Sequence, residues 1–78
     1  MKLFIGNLDL KATDADLVGV FEPYGSVTSV SVMKNSATGE GHGYGYVEMD
    51  SEEEAAAAII ALHGALLRDR ELMVARQA

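Results

Sequence analysis

The chain of 78 residues reads as an α+β domain of order βαββαβ: a four-stranded antiparallel sheet with two helices on one face. Three observations predict this. Four segments have the apolar alternation of strands, and two others repeat apolar residues at helical spacing. The stretch GHGYGYVEM (41–49) sets glycine at 41, 43 and 45 and a ring at 42, 44 and 46, so rings and glycines fall on opposite faces of one strand. Finally, 49% hydrophobic and 23% charged residues with no internal repeat fit one small globular unit, so residues 1–78 are expected to form a single domain.

The first strand is KLFIGNL (2–8), with Leu3 and Ile5 on one side and Lys2, Phe4 and Gly6 on the other. TDADLVGVFEPYG then forms a helix. Thr13 is its N-cap and acids occupy its first turn; Leu17, Val20, Phe21 and Tyr24 share a stripe, and Pro23 and Gly25 close it. VTSVSVMK (27–34) is β-branched and gives the second strand, with Val30 and Val32 inward. NSATGEG is a turn-rich loop, and 41–49 is strand three. In SEEEAAAAIIALHG, Ser51 and Glu54 form a capping box, Ala55, Ala58, Ile59 and Leu62 make the buried stripe, and Gly64 stops the helix. His63 is expected to cap carbonyls at that helix end, and Leu66 and Leu67 to pack beneath the loop that follows. ELMVAR (71–76) is strand four, with Leu72 and Val74 inward.

Two helices on one face leave the other face of the sheet bare. In strand three the inward set must be Gly43, Gly45, Val47 and Met49, because the alternative register buries His42 and Glu48. The rings of Tyr44 and Tyr46 therefore point away from the helices, and so does Phe4. Only five aromatic residues exist, and three of them fall on this uncovered face. Core glycines in a strand cost about 0.5–1 kcal/mol each relative to alanine. A small domain that thins its core side while exposing rings is breaking local rules, which marks function.

Composition excludes several classes. With no cysteine there is no disulfide framework and no thiolate metal site. No spaced His or carboxylate set reads as a metal site, and no cofactor is implied. The first ten residues hold Lys2, Asp9 and isolated apolar residues, so no leader or membrane span is read and a cytoplasmic protein is expected. Twelve acidic against six basic residues give a formal charge of −6, which argues against a partner held mainly by its phosphates.

LFIGNL (3–8) and HGYGYVEM (42–49), in the first and third strands of a βαββαβ order, resemble the hexamer and octamer motifs of the RNA recognition motif family. The resemblance runs from residue 2 to about 76, and the size and lack of other domains look like the short bacterial proteins with one such domain. It implies a ferredoxin-like sandwich whose sheet binds single-stranded RNA without catalysis. Carried over by position, Phe4 and Tyr46 each take a base and Tyr44 packs against sugars, while His42, Lys2 and Arg76 assist at the periphery. The departures weaken the phosphate contribution. His42 replaces a usual Arg or Lys with an imidazole; the loop after strand two offers Lys34 and Glu40; Asp69 stands where a turn glycine is common; and the sequence stops at Ala78 without a tail. Weak, salt-tolerant binding is expected, with Lys2, Lys34 and Arg76 supplying a small counterion slope. Asn7 is expected to fix a turn rather than read a base.

Two rival classes are weighed. Phe4, Met33, Tyr44, Tyr46, Met73 and Ala75 make the outer face apolar enough for a protein partner or self-association. The same topology hosts acyl phosphatases, but GNLDLKATD holds no arginine-bearing phosphate cradle, so an enzyme is not expected.

Overall fold

The computed structural model describes residues 1–34, 37–39 and 41–77. Readings that fall on Asn35, Ser36, Glu40 and Ala78 lie outside the described residues. Strand β1 (Lys2–Gly6) sends Leu3 and Ile5 into the core, as its alternation requires. Asn7 ends the strand at φ 55°, in the left-handed region that Asn tolerates. The expected 2–8 strand is therefore shorter, although Leu8 stays buried and donates its N–H to the Gly43 carbonyl at 2.9 Å.

Helix α1 (Asp14–Phe21) begins at Thr13. Thr13 Oγ1 accepts from the Asp16 N–H at 3.2 Å, and Asp16 Oδ2 accepts from the Thr13 N–H at 3.0 Å. This reciprocal pair satisfies amides that a first helical turn leaves open. Leu17 and Phe21 are buried, and Val20 is partly so. Tyr24 is a correction: it falls in a 3-10 turn (Glu22–Tyr24) and is exposed. Pro23 cannot continue the helix, and the tighter turn takes Tyr24 off the inward stripe.

Strands β2 (Val27–Lys34) and β3 (Gly41–Met49) pair antiparallel, with Val30 opposite Val47 and Val32 opposite Gly45. Helix α2 (Glu52–Leu62) buries Ala55, Ala58 and Leu62, with Ile59 partly buried. Its capping box is only half closed. Ser51 Oγ accepts from the Glu54 N–H at 3.3 Å, but the Glu54 carboxylate turns instead to the Ser26 N–H at 3.4 Å.

A two-stranded hairpin of β4 (Leu66–Leu67) and β5 (Arg70–Glu71) was not expected from the sequence. Arg68 at φ 51° and Asp69 at φ 65° supply two consecutive left-handed residues, the requirement of a tight two-residue turn. Successive strand residues face opposite ways, so Leu67 packs on the core while Leu66 is exposed, correcting the expectation that both pack inward. The expected 71–76 strand divides accordingly. Glu71 joins the hairpin, Leu72 stays buried between the two, and β6 (Met73–Arg76) joins the main sheet.

The main sheet runs β2-β3-β1-β6. Both helices lie against its Leu3, Ile5 and Val47 face, where Leu17, Phe21, Ala55, Ala58 and Leu62 complete one cluster. Full burial of each large apolar side chain there contributes about 1.5–3 kcal/mol. Each outer edge strand has an amide taken by a side chain. On β2 the Val32 N–H donates to Asp14 Oδ1 at 2.9 Å; on β6 the Val74 N–H donates to His63 Nδ1 at 3.1 Å. His63 does follow the helix, but its ring accepts from a strand amide rather than capping helix carbonyls. The loop through Gly64 (φ 88°) brings it against β6.

Candidate nucleic-acid interface

Parity in β1 and β3 decides what the bare face carries. Phe4 lies directly opposite Tyr46, and Lys2 opposite Glu48. Directly opposed residues share a face, so these four and the remaining rings of β3 stand on the side away from the helices. The rings form a continuous cluster. The Phe4 and Tyr44 centroids are 5.9 Å apart and nearly parallel (25°). Tyr46 meets Phe4 edge-on at 5.9 Å and Tyr44 edge-on at 6.1 Å. His42 extends the row, tilted 6.3 Å from Tyr44. Such contacts hold each ring in one orientation and are worth about 0.5–1.5 kcal/mol per pair, yet all three large rings stay partly open to solvent.

The glycines behind the rings are there for backbone reasons. Gly43 takes φ 85°, a conformation that side-chain-bearing residues rarely adopt. At Gly45 a Cβ would stand 2.7 Å from the Ser31 carbonyl oxygen and 3.1 Å from the Val32 Cα. The neighbouring strand thus presses against β3 directly behind Tyr44 and Tyr46.

Lys2 Nζ lies 4.7 Å from the Tyr46 ring centroid, within the reach of a cation–π contact. The structure therefore gathers Phe4, Tyr44, Tyr46, His42 and Lys2 on one surface. Arg76 is not among them. It lies opposite Leu3, on the helix side of the sheet, and its Nη1 pairs with Glu52 Oε1 at 3.2 Å. That placement was legible: Leu72 and Val74 point inward, and residue 76 has their parity. Lys34 ends β2 as an exposed residue opposite Gly41. Glu48 is the one acidic residue at an outward position of the four main strands, so the acids that set the net charge lie elsewhere.

Asn7 is engaged with the hairpin. Its Nδ2 donates to the Glu71 carbonyl at 2.8 Å and its Oδ1 accepts from Arg70 Nη1 at 3.3 Å. At the hairpin turn, Arg68 Nε donates to Asp16 Oδ2 at 2.8 Å. That guanidinium, and secondly the Thr13 amide, hold the Asp16 carboxyl below its ordinary value. Sequence reasoning missed a groove of about 330 Å³ beside Tyr46, lined by Lys2, Ser29, Ser31, Met33 and Glu48. The outward parity of both serines was its available signal. Among the described residues, no group of three His, Cys, Asp or Glu could hold a metal ion, and no helix is long and apolar enough to cross a membrane.

The sheet face that the helices leave bare thus carries a cluster of three partly open rings. The chain belongs to the RNA recognition motif family, whose model matches residues 3–73. It is 42% identical over 74 residues to the "Putative RNA-binding protein RbpA" of Synechocystis sp., covering 95% of this chain and 73% of that one. Among solved structures, RNA Binding Protein PG1 superposes with a TM-score of 0.90 at 38% identity, covering 95% of this chain and 89% of the other. The Sxl-lethal protein/RNA complex gives a TM-score of 0.89 at 32% identity over 99% of this chain, which spans 47% of the protein there. The fold is ferredoxin-like, as the sequence implied.

Proposed function

We propose that the chain binds single-stranded RNA on the β1–β3 face, without catalysis, with bases stacked on Phe4 and Tyr46 and a sugar against Tyr44. The observation that carries this is the cluster of three partly open rings, spaced 5.9 to 6.1 Å apart on the face that the helices leave bare. A base can lie flat on a ring only when it is unpaired, which selects single strands. Two stacked bases at about 1–3 kcal/mol each give roughly 2–6 kcal/mol, or dissociation constants from tens of millimolar to tens of micromolar. Lys2 and His42 add to this at the rim, and Arg76, tied to Glu52, adds little. RNA-binding relatives support the reading, and the cyanobacterial likeness fits a small bacterial protein. A cytoplasmic setting suits a chain without cysteine.

The test is binding to a randomised single-stranded RNA pool by wild type and a Phe4→Ala/Tyr46→Ala variant shown to be folded. A loss of about thirtyfold or more is expected. Equal binding by the double variant would remove the stacking mechanism.

A second reading rests on Met73, which is 55% exposed and stands opposite Gly6 beside the rings. The extended apolar patch favours a protein partner or a second copy on the same face. Amide spectra separate the two. RNA should shift signals of β1 and β3, whereas self-association broadens those signals as protein concentration rises.

A further inference from the structure

The groove beside Tyr46 pairs opposite charges that do not neutralise each other. Lys2 and Glu48 are directly opposed across β1 and β3, yet the ion pairs among the described residues are Arg68–Asp16 and Arg76–Glu52. Lys2 instead sits over the Tyr46 ring, and the exposed Glu48 carboxylate stays free at the groove wall. Ser29 lies opposite Glu48 and Ser31 opposite Tyr46, so two hydroxyls line the floor, and Met33 adds an apolar wall. A base stacked on Tyr46 takes the ring face that Lys2 now covers, so the flexible lysine moves to the base's edge, which then lies in this groove with the Glu48 carboxylate.

The four bases answer that pair differently. A carboxylate is an acceptor only and is best satisfied by two adjacent donors. Guanine alone offers them, at N1–H and N2–H, and its neighbouring O6 accepts from an ammonium. Adenine and cytosine present one amino group beside a ring-nitrogen acceptor. Uracil presents one N–H between two carbonyls, both of which the carboxylate repels. We infer that Glu48 and Lys2 make the Tyr46 position a guanine-selective subsite, with Glu48 taking the two N–H donors and Lys2 the O6 oxygen. The selection works by attraction to guanine and by repulsion of uracil together. The inference rests on the RNA-binding reading above but is separable from it.

The test measures binding of wild type, Glu48→Gln and Phe4→Ala/Tyr46→Ala to four short single-stranded RNAs: (UG)4, (UA)4, (UC)4 and U8. Alternating sequences avoid the quadruplexes that guanine runs form. Wild type should bind (UG)4 about tenfold more tightly than U8, the scale of one good two-bond base contact. Glu48→Gln replaces one acceptor oxygen with a donor, so it should lose most of that preference and bind U8 about two- to threefold better as the repulsion goes. The double ring variant should weaken all four RNAs and, with the Tyr46 stack gone, should lose the (UG)4 preference as well. If wild type binds the four within twofold of one another, or Glu48→Gln keeps the guanine preference, the groove assignment falls and RNA binding stands. If wild type binds none of them, both readings fall.

Discussion

Glycine at 45 offers a test in which one substitution carries two opposed effects. Its φ lies outside the left-handed region, so alanine fits the local backbone there and would gain about 0.4–1 kcal/mol by restricting the unfolded chain. Against this, the added Cβ would stand 2.7 Å from the Ser31 carbonyl oxygen, 3.1 Å from the Val32 Cα and 3.5 Å from Leu17 Cδ1. The two closest atoms are backbone of a paired strand and cannot rotate aside, so β2 must move. Overpacking of this kind costs about 1–3 kcal/mol. The net expectation for Gly45→Ala is a loss of about 1–2 kcal/mol, or roughly 5–15 °C in Tm for a domain of this size. Gly19→Ala is the matched control. Gly19 lies in α1 with nothing within 4 Å of the added Cβ, so alanine there should stabilise by up to about 1 kcal/mol. Urea titration of both variants measures the difference in sign. A Gly45→Ala protein as stable as wild type would refute the claim that β2 crowds the back of β3.

Four further outcomes are expected. His63→Ala leaves the Val74 amide without its acceptor and should cost about 0.5–1.5 kcal/mol; hydrogen exchange at Val74 should quicken, and an unchanged rate there would contradict the contact. Asn7→Ala loses a left-handed conformer and two bonds to the hairpin, for about 1–3 kcal/mol, while Asn7→Gly, which keeps the backbone freedom, should lose less in the same thermal melt. The Arg68 guanidinium, and secondly the Thr13 amide, hold the Asp16 carboxyl below its ordinary pKa, so its contribution is fully present above the ordinary value and disappears as the pH falls through the lower folded one. Arg68→Met should flatten that acid limb, as read by stability against pH. If Lys2 and Lys34 alone meet phosphates, with Arg76 held by Glu52, log K against log salt should be no steeper than about −1.4. A slope of −3 would show that other cations take part.

What the sequence revealed, it revealed through parity. Once Leu3, Ile5, Val47 and Met49 are assigned inward, the side of Phe4, Tyr44 and Tyr46 follows without any tertiary information. The same rule places Arg76 behind the sheet, opposite Leu3. The hairpin was hidden for two reasons. Strands of two residues are too short to show alternation, and its turn uses Arg68 and Asp69 where Asn or Gly would have announced it. The side-chain partners of Glu54 and His63 depend on which distant segment lies nearby. Ser26 and Val74 are far from them in the chain, so local patterns could not supply those contacts.

The side-chain stoppers at Val32 and Val74 bear on how copies of this domain can meet. A strand arriving at either rim finds an amide already occupied, by a carboxylate on one side and an imidazole on the other. Sideways growth into a longer sheet would first have to break one of these bonds. The sheet is thereby closed to lengthening at both rims, and its ring-bearing face is left as the open side.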